Sequence, residues 1–195
     1  MPRIVNHDDR RAELAQAIWS LIRKQGLSGV TLRNLSEESG WSSGAIRHYL
    51  PNREAILNFG AEHLNRRIEE HLRSLPHSPD FRQSLLNFLE FMLPVDDEPR
   101  LWMEVWLAYV GEAVIEQSYA DTQGLLYRNL NALFVQIFKD FAQAGWQLRH
   151  PPEQAANQLH ALLDGLSIHV LMHRVTPEQA KTILQHTVDS LLLRP

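Results

Sequence analysis

The 195-residue chain carries 19 basic and 23 acidic side chains, a formal net charge of −4, with 44% hydrophobic residues. This balance excludes a disordered chain and an indiscriminate polyanion binder, and the length suffices for one large domain or for a small one fused to a larger. Cysteine is absent, which excludes disulfides, thiolate metal sites and cysteine nucleophiles.

From Arg10 to Gln25 the apolar residues Leu14, Ala17, Ile18, Leu21 and Ile22 recur at three- and four-residue intervals, predicting an amphipathic helix that Gly26 ends. Thr31 is placed to cap a short second helix carrying Leu32 and Leu35, which Gly40 stops. After a two-residue turn packed by Trp41, the segment SGAIRHYL predicts a third helix. Ala45, Ile46, Tyr49 and Leu50 form its inner face, and Ser43, Gly44, Arg47 and His48 its outer one. Pro51 ends it, and Asn52 starts a fourth helix through Ile56, Leu64, Ile68 and Leu72 to about Ser74. Further helices are predicted over Phe81–Leu93, Leu101–Glu116 and Tyr119–Ala144, separated by PHSPD at Pro76–Asp80 and by PVDDEP.

Two last helices complete the chain. One starts near Pro152 and carries Leu159, Leu162, Leu163, Leu166 and Val170. The other is capped by Thr176 with Pro177 in its first turn, and carries Ile183, Leu184, Val188, Leu191 and Leu192. No sustained period-two alternation occurs, so the expected fold is all-α, about nine helices with essentially no sheet. The expected domains are 1–53 and 54–195.

Val30 to Leu50 reads as a helix-turn-helix, in which a second helix enters the DNA major groove while the first braces it. Charge agrees with this placement: Met1–Leu75 holds 11 basic and 9 acidic residues, net +2, whereas the remainder is net −6. The stretch VTLRNLSEESGWSSGAIRHYLPNREAIL at Val30–Leu57 resembles the TetR/AcrR family of transcriptional repressors, through Thr31, Gly40, Ser42, Gly44, Tyr49 and the Asn52-Arg53 pair. The resemblance implies phosphate-facing roles for Thr31, Ser42, Tyr49 and Arg53, and groove-facing roles for Ser43, Gly44, Arg47 and His48. The family often has an aromatic residue where Arg47 stands, phenylalanine at Leu50 and lysine at Arg53, so base preference does not carry over.

The same resemblance implies a homodimer paired through the two C-terminal helices and reading palindromic double-stranded DNA. Their leucine supply suits a shared four-helix bundle. RLWMEVWLAYVGEA and ALLDGL resemble the BetI-like subset, whose named member senses choline. Trp102, Trp106, Tyr109, Tyr127 and Phe134 are candidate linings for a small-molecule effector pocket, with Asp164 as polar partner, although the same aromatics suit an ordinary core. Tyr119 and Phe138 add aromatic area. His169 and His173 have a metal-compatible spacing but lack HExxH or cysteine company, and no catalytic constellation appears, so neither metal, cofactor nor enzymatic activity is expected. MPRIVNHDDRR has no apolar run behind its basic residues, predicting an unexported, cytoplasmic chain with no membrane partner.

Overall fold

The computed structural model describes residues 7–74, 78–115 and 117–193, and the side chains of these except at 7–9, 72, 115 and 117–126. The Leu72, Tyr119 and Leu126 side chains and the Pro76–His77 part of the predicted boundary lie outside what the structure describes.

Nine α-helices occur among the described residues: α1 His7–Gln25, α2 Leu32–Ser39, α3 Ser43–Tyr49, α4 Arg53–Ser74, α5 Phe81–Met92, α6 Asp97–Ile115, α7 Gln117–Gln143, α8 Pro152–Leu171 and α9 Pro177–Leu191. Local chemistry sets their ends. Thr31 and Ser42 accept hydrogen bonds from the Asn34 and Ala45 amides at the starts of α2 and α3, and Asp80 accepts from Arg82 and Gln83 at the start of α5. At α9, Thr176 and Gln179 cap each other reciprocally, the capping-box arrangement. Gly40 closes α2 in the left-handed region at φ 71°, a backbone state that favours glycine.

Three features depart from the sequence reading. A 3₁₀ turn, Leu27–Gly29, follows α1. Strands β1 (Gln147–Leu148) and β2 (Leu192–Leu193) form a two-residue antiparallel ladder. Helix α6 begins at Asp97 rather than Leu101, because Pro99 falls in its first turn, where the missing N–H has no helical acceptor to lose.

The chain divides into two compact units. The first comprises Met1–Ser74 with Glu104–Glu112 of α6, and buries Leu14, Ile18, Leu21, Leu35, Ile46, Ile56 and Leu57. The predicted boundary between 53 and 54 differs from this division, since α4 as a whole belongs to the first unit. The second unit holds Leu75–Met103 and Ala113–Pro195; its core joins Leu86, Leu89, Phe134, Phe138, Phe141, Leu159, Leu163, Leu184 and Val188. Ile183, predicted on the buried stripe of α9, is exposed; Leu184, Val188 and Leu191 form that stripe. No described helix is long and apolar enough to cross a membrane.

Candidate functional site

Helices α2 and α3 are anchored to the first unit by narrow lines of apolar side chains. Leu35 of α2 and Ile46 of α3 are fully buried, and Leu50 follows Ile46 by four residues, one helical turn. The turn between them is tied internally: Ser36 Oγ donates to the Trp41 carbonyl at 2.6 Å, and the Trp41 amide donates to Ser39 Oγ at 3.2 Å. Such ties fix the direction in which α3 leaves the turn.

Ser43, Gly44, Arg47 and His48 are all exposed on α3. A Cβ at Gly44 would meet nothing within 4 Å, so packing inside the unit gives no reason for a glycine there. Ala45 and Tyr49, predicted on the inner face, are exposed instead, Tyr49 by 55%. On a seven-residue helix only the Ile46–Leu50 line reaches the core. The Tyr49 ring lies edge-on to His48 at 5.1 Å and to Trp41 at 6.5 Å.

Thr31 and Ser42 keep their hydroxyls on the cap bonds of α2 and α3 while both residues remain exposed. Arg53 is partly buried and its Nη2 donates to the Leu27 carbonyl at 2.7 Å, tying the start of α4 to the 3₁₀ turn. The sequence reading passed over Arg10 and Arg11. Their guanidinium groups lie 5.5 Å from the Trp41 ring centre and 5.3 Å from that of Phe59, beside an open groove of about 850 Å³ that Tyr49 and Ser42 also line. Their aromatic partners are distant in sequence, so no local pattern announced them. Glu38 accepts from Lys24 and Ser20, each at 2.7 Å, and these bonds hold its carboxyl below the ordinary range.

The effector candidates fall in both units. Tyr109, in the first, is buried and donates its hydroxyl to the Leu57 carbonyl at 2.7 Å, and burial pushes its phenol pKa up. Trp106 is half-buried in the same α6 segment, where Glu104 pairs with Arg23 at 2.6 Å. Trp102 belongs to the second unit, buried edge-on to Phe91 at 5.5 Å. Thus the structure does not bring Trp102, Trp106 and Tyr109 together within one unit.

Tyr127, Phe134 and Asp164 do come together in the second unit, around a residue the sequence reading missed. His160, on α8, is 2% exposed; Tyr127 stacks on it at 4.1 Å and 19°, and Phe134 meets it edge-on at 5.5 Å. The Tyr127 hydroxyl donates to Asp164 Oδ2 at 2.9 Å, and burial together with that carboxylate pushes the phenol up to about 12. His160 Nε2 lies 4.0 Å from the same oxygen, and burial pushes the imidazole pKa down against the pull of Asp164. The clue available beforehand was a histidine on the apolar side of a leucine-rich helix, one turn before an aspartate. His173 lies beyond the end of α8 at φ 55°, so His169 and His173 do not share a helix face.

Residues 81–193 match the family described as BetI-type transcriptional repressor, C-terminal. The HTH-type transcriptional regulator PksA of Bacillus subtilis is 28% identical over 200 residues, covering 98% of this chain and 94% of that one. The HTH-type transcriptional regulator BetI of Paraburkholderia phytofirmans is 27% identical over 168 residues, 85% and 84% of the two chains. Among solved structures, a TetR-family regulator from Rhodococcus sp. superposes with a TM-score of 0.84 at 20% identity, over 95% of this chain and 100% of that one. A regulator from Saccharomonospora viridis, solved in complex with choline, gives 0.80 at 21%, over 96% and 100%.

Proposed function

Because the chain belongs to the TetR/AcrR family of transcriptional regulators, in its BetI-like subset, we propose that it is a dimeric repressor whose α3 reads palindromic operator DNA and whose second unit binds a small-molecule effector that releases it. The observation that carries the reading is the outer face of α3. Ser43, Gly44, Arg47 and His48 are exposed together on a helix whose direction is fixed by Ile46, Leu50 and the hydrogen-bonded turn. A rigid short helix with a bare glycine at its start suits close approach to a groove, and arginine suits bidentate bonds to guanine.

Two copies are needed because one α3 spans few base pairs. On a twofold-symmetric operator the half-site centres lie about 34–36 Å apart, or a multiple of that. The outward side of α8 supplies a seam for pairing: Ala161, Ile168 and Met172 are exposed at helical spacing around Gly165, where a Cβ would meet only open space. Thr31, Ser42, Tyr49 and Arg53 are the proposed phosphate-facing set. Arg53, held at the Leu27 carbonyl, acts there by positioning α4 as well as by charge. Tyr127, Phe134 and Asp164 are the proposed effector contacts that share one unit; Trp102, in that same unit, and Trp106 and Tyr109, in the first, are the further candidates.

Selection of bound fragments from genomic DNA tests the reading. A palindromic fragment should be retained at moderate salt, and choline, the molecule held by the Saccharomonospora viridis neighbour, is the first release agent to try. On the selected operator, Arg47→Ala should cost roughly 1–3 kcal/mol and flatten discrimination at one base pair. Failure to retain any palindrome, even at low salt, would reject the proposal.

A further inference from the structure

We infer that the groove between the start of α1 and the Ala45–Tyr49 flank of α3 is a bed for one sugar-phosphate strand of DNA, in which the Arg10 and Arg11 guanidinium groups hold phosphates. The inference rests on the reading of α3 as the helix that enters the major groove. It adds two contacts from outside the helix-turn-helix.

The first argument is the shape of α3. Ile46 and Leu50 face the core, which leaves three exposed lines of residues four apart: Gly44 with His48 opposite the core, Ser43 with Arg47 along one flank, and Ala45 with Tyr49 along the other. An α-helix with its side chains is about 10–12 Å across, and the major groove is about 12 Å wide. A helix that fills the groove therefore has a phosphate strand against each flank. Arg47 gives the first flank a cation. Ala45 and Tyr49 give the second none.

The second argument is what stands across from that second flank. Ala45 and Tyr49 line a groove of about 850 Å³ that Arg10 and Arg11 of α1 also line. Both arginines are exposed, and each is set against a ring: Arg10 lies 5.5 Å from the centre of Trp41, in the turn that leads into α3, and Arg11 lies 5.3 Å from that of Phe59. Stacking occupies the flat face of a guanidinium and leaves its N–H edge free, the edge that takes phosphate. Arg23, Lys24 and Arg33 of the same unit are each committed to a carboxylate. Among the described residues, Arg10 and Arg11 make no hydrogen bond or ion pair.

The third argument is sign and continuity. Glu13 is the one carboxylate among the described residues of the groove lining, against two guanidinium groups, so the balance favours an anion. Through Ser42, Ala45 and Tyr49 the groove runs on into the exposed face of α3. A strand bordering the major groove meets that face and the arginines together, which a small free anion does not.

Fluorescence anisotropy of the full chain on the selected operator and on a duplex lacking the palindrome, over a range of salt, tests this. Arg10→Gln combined with Arg11→Gln should weaken binding to both duplexes roughly tenfold at moderate salt and lower the slope of log affinity against log salt by about two, one for each lost phosphate contact. Base preference should not change. Arg10→Lys with Arg11→Lys should restore most of the slope, because the charges that displace counterions return. Glu13→Gln should tighten binding to both duplexes, an effect that a purely structural role for this face would not produce. Arg73→Gln, which removes a charge paired with Glu69 near the other end of α4, controls for net charge and should leave the slope unchanged. The bed is overturned if the glutamine pair keeps the parent slope, if Arg73→Gln lowers the slope as much per charge, or if Glu13→Gln fails to tighten binding. Should the glutamine pair fail to fold by circular dichroism, Glu13→Gln and the lysine pair carry the test. An unchanged slope in the glutamine pair, with discrimination still lost in Arg47→Ala, removes the bed and keeps α3 as the reader. A parent chain that retains no duplex at any salt removes both.

Discussion

His63 and His160 are 7% and 2% exposed, and burial is the largest influence on both, lowering each pKa below the ordinary 6.5. For His63, Arg66 and Arg11 push the same way, while the Phe59 carbonyl, 3.1 Å from Nδ1, and Glu62 push back. A folded-state pKa below the unfolded one means that folding disfavours proton uptake. The stability contribution of the neutral rings is therefore complete above pH 6.5 and is lost as pH falls from there through the folded values. Denaturant midpoints should drop between neutral pH and mildly acidic pH, before the carboxylates titrate, and His63→Gln should flatten that slope. A midpoint independent of pH across this range would contradict it. At Gly60 the relevant physics is steric. An added Cβ would lie 2.8 Å from Ile18 Cγ2 and 3.2 Å from the Tyr109 hydroxyl, and the Gly60 carbonyl accepts from Trp19 Nε1 at 2.9 Å. Gly60→Ala gains up to about 1 kcal/mol of helix propensity, but overpacking against a fully buried β-branched side chain costs roughly 1–3 kcal/mol. The clash outweighs the gain, and a lowered Tm of the full chain is the expected result.

Helix ends were the most legible elements, because a cap is local chemistry. Thr31, Thr176 and Pro177 stand in the structure where spacing alone placed them, and Gly26, Gly40 and Gly145 take up the positive φ that ends α1, α2 and α7. Distant pairings were not legible: β1 and β2 lie about forty residues apart along the chain and are only two residues long, too short for any alternation to register. The Ala45 and Tyr49 error has a related cause, since a seven-residue helix buries only a line of side chains and its helical wheel cannot say how wide the neighbouring surface is. Caps also allow stability and DNA contact to be separated. Ser42→Ala should cost about 1 kcal/mol of stability, whereas Ser42→Asp keeps an acceptor for the Ala45 amide and should leave the Tm nearly unchanged. Yet aspartate puts a negative charge where a DNA phosphate is proposed to sit. If Ser42 faces the phosphate backbone, Ser42→Asp should weaken operator binding far more than Ser42→Ala; equal affinities would remove it from that set.

At the scale of the whole molecule, the helical frame of the proposed DNA-reading side was legible and the grouping of the proposed effector contacts was not. Everything that aims α3 lies within Thr31–Leu50 plus a few anchors, so one stretch of sequence contains it. The effector candidates instead depend on how α6 is divided, with Trp102 in one compact unit and Trp106 and Tyr109 in the other, and on His160 being brought beneath Tyr127 of α7. Neither relation has a local signal. Pairing of two chains is the remaining whole-molecule property, and Gly165 offers a clean way to test it. Because a Cβ there meets nothing within 4 Å inside the chain, Gly165→Arg should fold at least as well as the parent, with a helix-propensity gain of up to about 1 kcal/mol. The same arginine would place a long charged side chain in the centre of the proposed seam beside Ala161 and Ile168, where an unpaired charge cannot be buried without a large desolvation penalty. Sedimentation should then show a folded monomer, and operator affinity should collapse towards the non-specific level, because a lone α3 reads one half-site. A Gly165→Arg chain that still sediments as a dimer and binds the palindrome normally would show that the two copies meet on some other surface.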